Sequence, residues 1–123
     1  MSDIVLIVDD NAANLKLARI VLEDAGYDVR TATDAAAALA FLDRTEPRLI
    51  LMDIQLPDLD GLELTRRIKQ HPERKHIPVI ALTAYAMKGD RAKALAAGCD
   101  GYITKPIDID VLAETVAKLL VKA

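Results

Sequence analysis

Leu49-Ile50-Leu51-Met52-Asp53-Ile54-Gln55-Leu56-Pro57 decides the fold of this chain of 123 residues. Four large apolar residues in succession, closed by an aspartate, fit a strand covered on both faces, since a strand with one wet face alternates polar and apolar positions. Ile4-Val5-Leu6-Ile7-Val8, followed by Asp9-Asp10, repeats the pattern near the start of the chain. Val79-Ile80-Ala81-Leu82 followed by Thr83 repeats it again, and Tyr102-Ile103-Thr104 leads into Lys105. Strands buried on both faces belong to parallel sheets with helices on either side. Open sheets of that kind bind ligands beyond the carboxyl ends of their strands. Each of these runs carries there a side chain suited to phosphate and a divalent metal.

Helical patterns separate the runs about every 20 to 25 residues, the rhythm of successive βα units. From about Asn11 to Ala25, one stripe holds Leu15, Ala18, Val21, Leu22 and Ala25, and Gly26 is placed to stop the helix. Val29 to Ala32 is a second, less apolar strand, as expected at a sheet edge. Asp34 caps a helix to Leu42 with Ala35, Ala38, Leu39 and Leu42 inward. The third helix spans Gly61 to Gln70, the fourth strand Pro78 to Thr83, and the fourth helix about Ala86 to Ala97, with Gly98 as its stop. Asp108 caps a fifth helix whose expected buried stripe is Ile109, Leu112, Val116, Leu119 and Leu120. Crossovers are right-handed, so helices cover both faces only if the winding reverses once. Reversal between strands one and three predicts a flavodoxin-like (βα)5 fold, a doubly wound parallel α/β sheet of strand order 2-1-3-4-5. Asp9, Asp10 and Asp53 then flank the crevice at the reversal.

Composition narrows the function classes. A chain of this length with 52% hydrophobic residues is one domain's worth, able to bury roughly two thirds of its unfolded surface. No Pro-, Gly- or Ser-rich linker divides it, and a single domain over residues 1–123 without an output domain is expected. Cys99 is the only cysteine, which excludes an intramolecular disulfide and any Cys/His zinc spacing. The first ten residues hold three aspartates and no lysine or arginine, the opposite of a secretory leader. No apolar run approaches the ~18 residues of a membrane span. A cytoplasmic protein is expected. A net charge of −3, with one Phe, three Tyr and no Trp, offers nucleic acid neither a basic footprint nor stacking platforms.

Three carboxylates at one rim repel one another, and a hard cation with oxygen ligands relieves that repulsion. Magnesium suits such a place because it keeps several waters and takes few protein carboxylates. Alone, Asp10 reads as a helix cap and Asp53 as part of an ordinary βα turn; together with Thr83 and Lys105 they read as a site. Val8-Asp9-Asp10-Asn11, Leu51-Met52-Asp53-Ile54-Gln55-Leu56-Pro57 with Asp60-Gly61, Thr83-Ala84, and Tyr102-Ile103-Thr104-Lys105-Pro106 follow one another in this order. From about Ile4 to Leu120 the chain thereby resembles the receiver domains of two-component response regulators. Its acidic single-domain form and the stretch Thr83-Ala84-Tyr85-Ala86-Met87-Lys88-Gly89-Asp90 are most similar to the DivK type of stand-alone regulator.

The resemblance implies specific roles. Asp53 would accept a phosphoryl group from a histidine kinase or a phosphotransfer protein. Mg²⁺ would be held by Asp10 and Asp53 directly, by Asp9 largely through water, and by the backbone carbonyl of Gln55. Lys105 would pair with Asp53 and then with the phosphoryl oxygens, and Thr83 would hydrogen-bond one of them. The Lys105-Pro106 bond would be cis. On activation Thr83 would move toward the phosphoryl group and Tyr102 would turn inward. Residue chemistry agrees, because phosphoryl transfer needs positioning and neutralised charge. Such a protein is a signalling phosphoacceptor that catalyses its own phosphorylation and slow dephosphorylation, not an enzyme acting on other substrates. Ala84 leaves the phosphoryl approach open, whereas bulky Tyr85 would obstruct water and slow hydrolysis; loss of label as fast as in Tyr85→Ala would contradict this. Helix four has only Met87 and Leu95 as large apolar anchors, and Gly89 costs ~1 kcal/mol against alanine. It should be the least stable helix, so the downstream partner is expected on helix four, strand five and helix five.

Other readings fare worse. An aspartyl-phosphate hydrolase would carry an acid/base Asp two residues beyond its nucleophile, where this chain has Gln55. Against a binding module that is never phosphorylated speak the retained Asp53, Thr83 and Lys105. No G-x-x-x-x-G-K-[ST] or G-x-G-x-x-G loop is present. His71 and His76 lie in a polar loop and are expected in solvent, Cys99 is expected as a structural thiol, and Arg66, Arg67, Lys69, Arg91 and Lys93 as solvated helical charges. The run Ala35 to Ala38 and the pair Ala96-Ala97 fit tight helix packing.

Overall fold

The computed structural model describes residues 3–83 and 90–121. Strands and helices alternate as β1 (Ile4–Val8), α1 (Ala12–Asp24), β2 (Asp28–Ala32), α2 (Ala35–Leu42), β3 (Leu49–Asp53), α3 (Gly61–Gln70), β4 (Val79–Thr83), α4 (Asp90–Ala97), β5 (Gly101–Thr104) and α5 (Ile109–Val121). The parallel sheet has the order β2-β1-β3-β4-β5, with the reversal between β1 and β3 and β2 at an edge. Register pairs Val8 with Met52, Asp53 with Leu82 and Thr83 with Thr104, so the strand ends reach one common rim.

Side chains alternate across a strand, and the sheet accordingly supports two cores. Leu6, Val8, Ile50, Met52, Val79 and Ala81 face α2, α3 and α4. Val5, Ile7, Leu49, Leu51, Ile80 and Leu82 face α1 and α5. At roughly 25 cal/mol per Å² of apolar surface, these layers are the main source of stability. Local chemistry sets the helix ends. Asn11 accepts from the Asn14 N–H at 3.0 Å, Asp34 from the Ala37 N–H at 2.7 Å, and Asp60 from the Leu62 N–H at 2.7 Å. Gly26 and Gly98 end α1 and α4 at φ of 99° and 104°, the left-handed region where glycine carries no Cβ penalty.

Several expectations are corrected. Ala25 is exposed because it is the C-cap of α1, past the last full turn. Ile109 is 50% exposed, in a surface groove beside Ile20 and Val21, while Leu112 and Val116 carry the burial of α5. Leu95 is 53% exposed, and α4 is seated by Ala94 and Ala97. Neighbouring residues lie about 100° apart around a helix, so once Ala94 faces the sheet Leu95 faces away. Lys69 is the largest departure. Its ammonium is 2.8 Å from Asp100 Oδ2 and donates to the carbonyl oxygens of Ile77 at 2.6 Å and Lys75 at 3.3 Å. His71 is half-buried, its Nδ1 accepting from the Glu73 N–H, and His76 is exposed beside Glu46. The expectations for Ala84, Tyr85, Ala86, Met87 and Gly89 lie outside the described residues.

Candidate functional site

The rim is assembled by residues that leave β1, β3, β4 and β5. Asp9 continues the pairing of β1 by one step, its N–H donating to Ala32 O at 3.0 Å. Its side chain is fully buried, and Oδ1 accepts from the Asn11 N–H at 2.8 Å. The turn that caps α1 therefore also holds Asp9. Asp53, the last residue of β3, is 3% exposed, and its Oδ1 accepts from the Gln55 N–H at 2.9 Å. Asp10 is exposed at the mouth. One oxygen from each of Asp9, Asp10 and Asp53 lies within 4.8 Å of the others.

Lys105 closes the group from the β5 side. Its N–H donates to Thr83 O at 2.6 Å, and its bond to Pro106 is cis. Its ammonium lies 3.2 Å from Asp9 Oδ2 and 3.4 Å from Asp53 Oδ2, with the side chain 16% exposed. The contact with Asp9 is ionic only, since Asp9 Oδ2 is buried and accepts no aligned hydrogen bond. A buried carboxylate oxygen without a donor is costly. A hard cation is what would complete it, and the donors available are the carboxylate oxygens such a cation prefers. The residues fit magnesium. Asp9, Asp10 and Asp53 could hold it, and the Gln55 carbonyl belongs to the residue whose N–H already fixes Asp53.

Three carboxylates face one ammonium in a site largely shut off from water. Burial pushes the Asp53 carboxyl above the ordinary carboxylate range, and the Asp9 charge pushes the same way; the Gln55 N–H and the Lys105 ammonium only partly offset them. A buried carboxylate pushed up by burial and by a neighbouring charge, with its partner lysine beside it, is a candidate functional group. Thr83 is fully buried, one residue beyond the strand partner of Asp53. Tyr102 is half-buried against the core beneath α4, and it pairs with Ala81, two residues before Thr83 on the same face. The sheet thus places the two switch candidates as diagonal neighbours, with the small Ala81 beside the ring.

The loop from β3 to α3, which holds Asp58, and the first residue of α3, Gly61, frame the site, and neither residue has a physical task evident from the sequence. Gly61 donates to Ile54 O at 3.0 Å, and a Cβ there would collide with the Asp53 carbonyl oxygen and approach Ile54 Cα to 2.6 Å. The start of α3 therefore packs directly on the backbone of Asp53. Asp58 accepts from the Ala35 N–H at 2.9 Å and the Ala36 N–H at 3.0 Å, reaching the start of α2 from 23 and 22 residues away. The Asp-Gly pair in the sequence hinted at a tight turn, whereas nothing local signals the partner of Asp58. Burial pushes the Cys99 thiol up, consistent with a packed, unreactive sulfur.

A reversed (βα)5 sheet with this rim defines a class, and residues 5–117 match the response regulator receiver domain family. The chain belongs to that family. The polar-differentiation response regulator DivK of Brucella ovis is 45% identical over 120 residues, which cover 98% of each chain. A CheY-like response regulator receiver domain protein from Methanospirillum hungatei superposes with a TM-score of 0.91 at 34% identity, over 99% of this chain and 96% of that one. The receiver domain of a Pseudomonas aeruginosa sensor histidine kinase, crystallised with a magnesium ion in its active-site cleft, gives a TM-score of 0.89 at 34% identity over 98% of both chains. Among the described residues no helix is long and apolar enough to cross a membrane.

Proposed function

We propose that this chain is a free-standing cytoplasmic response regulator of a phosphorelay, phosphorylated on Asp53 by a histidine kinase or a phosphotransfer protein. The observation that carries the reading is the Lys105 ammonium held between Asp53 and a buried, under-satisfied Asp9 oxygen. An Asp53 carboxylate oxygen attacks the phosphorus of a phosphohistidine, the P–N bond breaks, and the imidazole departs with its electron pair and then takes a proton. The product is an acyl phosphate on Asp53. Lys105 shifts from carboxylate to phosphoryl oxygen, and Thr83 donates its hydroxyl hydrogen to another. Bound magnesium, held by Asp9, Asp10, Asp53 and the Gln55 carbonyl, would supply further neutralisation of the phosphoryl charge. Output follows from Thr83 drawing toward the phosphoryl group and Tyr102 turning under α4, which presents α4, β5 and α5 to a downstream protein. The 45% identity with the Brucella ovis DivK supports a role of the DivK type.

Intact mass after incubation with acetyl phosphate tests this. One phosphoryl group gained with Mg²⁺, none with EDTA and none on Asp53→Asn is expected. No gain with acetyl phosphate consumed would instead describe a hydrolase, and no gain without consumption a module that is not phosphorylated by this route.

A further inference from the structure

The geometry points to Asp58 as a positioning residue for metal binding: by clamping the β3–α3 loop to the start of α2, it holds the Gln55 carbonyl in place for the cation. This inference rests on the metal site proposed above. Asp53 is fixed by its strand, Asp9 by the α1 turn, and the Gln55 N–H by Asp53 Oδ1 at 2.9 Å; but the ladder ends at Ile54, whose N–H still reaches Leu82 O at 3.1 Å, so the Gln55 carbonyl faces into the loop that follows. Leu56 and Leu59 anchor that loop by partial burial against the core. Apolar burial sets depth and is non-directional, so it leaves lateral position open. Directional bonds supply the missing constraint. Both Asp58 oxygens are engaged, one with the Ala35 N–H and one with the Ala36 N–H, while Asp34 takes the next donor, Ala37. The first three N–H groups of α2 are thereby divided between a local cap and one that comes from the site loop. The Ala35 N–H is also the main reason the Asp58 carboxyl sits below the ordinary carboxylate range, so the clamp is an ionised one.

Asp34 provides the control, because its hydrogen bond caps the same helix at the Ala37 N–H and not the loop. Binding of Mn²⁺ would be followed by electron paramagnetic resonance of the free ion, with Mg²⁺ as competitor, in the wild type, Asp58→Ala, Asp58→Asn and Asp34→Ala, each also melted in EDTA. Asp58→Ala is expected to weaken Mn²⁺ binding by roughly three- to tenfold, less than the roughly 10- to 100-fold seen when a direct partner of a metal ligand is lost. Asp58→Asn, which keeps one acceptor oxygen, should fall between. Asp34→Ala should lower the melting temperature comparably yet bind Mn²⁺ within about twofold of wild type. Unchanged binding in Asp58→Ala overturns the inference, and so does an equal loss in Asp34→Ala, which would trace the effect to the helix. A wild type that binds no Mn²⁺ overturns the metal site itself, and this inference with it.

Discussion

Two lysines of nearly equal exposure, Lys105 at 16% and Lys69 at 17%, sit at opposite ends of the same sheet and do opposite things. At the base, Lys69 meets one carboxylate and two carbonyl oxygens, and Asp100 Oδ2 also accepts the Val79 N–H at 2.9 Å. Charge is balanced and every donor of the ammonium is used. At the rim, Lys105 makes two longer ionic contacts to carboxylates that outnumber it, and one buried oxygen lacks a hydrogen bond. Closure at the base ties α3, β4 and the turn before β5 together. The rim is left open, and an open site is one that a cation or a phosphoryl group can complete. Burial of a charge, by itself, does not distinguish structure from function; the balance of partners around it does.

Magnesium separates the two ends most sharply. Lys69→Met should cost about 2–3 kcal/mol, below the figure for a fully buried pair because Asp100 keeps contact with water, and added Mg²⁺ should not restore it. Lys105→Met should cost about 1–2 kcal/mol in EDTA, since Asp53 can take up a proton in its place, and saturating Mg²⁺ should recover most of it. Thermal melts of both variants with and without the metal read the difference directly, and equal rescue of the two would erase the distinction between closed and open ends.

Gly61→Ala probes how the rim is built. A methyl group there must displace α3 or the Asp53 backbone, and overpacking of this kind costs about 1–3 kcal/mol. Urea unfolding should show that loss together with slower acetyl phosphate labelling. A variant as stable and as reactive as wild type would mean the close approach does not shape the site.

Asp53 itself should give the smallest effect, and one of opposite sign. Its folded-state carboxyl titrates above the unfolded value. The folded protein therefore binds more protons than the unfolded one between the two values, and stability falls as pH rises through that window. Asp53→Asn removes the loss, so at pH 7 in EDTA it should melt about 3–6 °C higher, on the order of 1 kcal/mol. The gain should vanish in acid, where the wild-type carboxyl is already protonated, and shrink in Mg²⁺. A variant less stable than wild type at pH 7 would place Asp53 in a satisfied environment like that of Asp100.

Much of this was legible in the sequence, for reasons that are local. The apolar runs of β1 and β3, the cap at Asp34 and the stops at Gly26 and Gly98 each act within a few residues, whereas the cap of α1 falls on Asn11 and not on Asp10. Asp9, Asp10, Asp53, Thr83 and Lys105 were readable because strand ends in a parallel sheet share a rim. What escaped depends on distant partners. Lys69 on a polar helix face looks solvated until the turn before β5 folds over it, and Gly98 allows that approach, since a Cβ there would sit 2.7 Å from the Lys69 Cγ. Asp58 is bonded to residues far back in the chain. Leu95 and Ile109 satisfy the helical period but lie where none of the described residues buries them, while Ala94 and Ala97 do the packing. Hydrophobicity alone could not tell an anchor from an exposed side chain.

The most direct test of an open rim is the titration of the Asp53 carboxyl carbon by nuclear magnetic resonance, in EDTA and in saturating Mg²⁺. The midpoint should lie above the ordinary carboxylate range without metal and fall markedly when Mg²⁺ is present. A midpoint at or below the ordinary range in EDTA, unmoved by Mg²⁺, would show that Lys105 already satisfies the site and that the rim is closed.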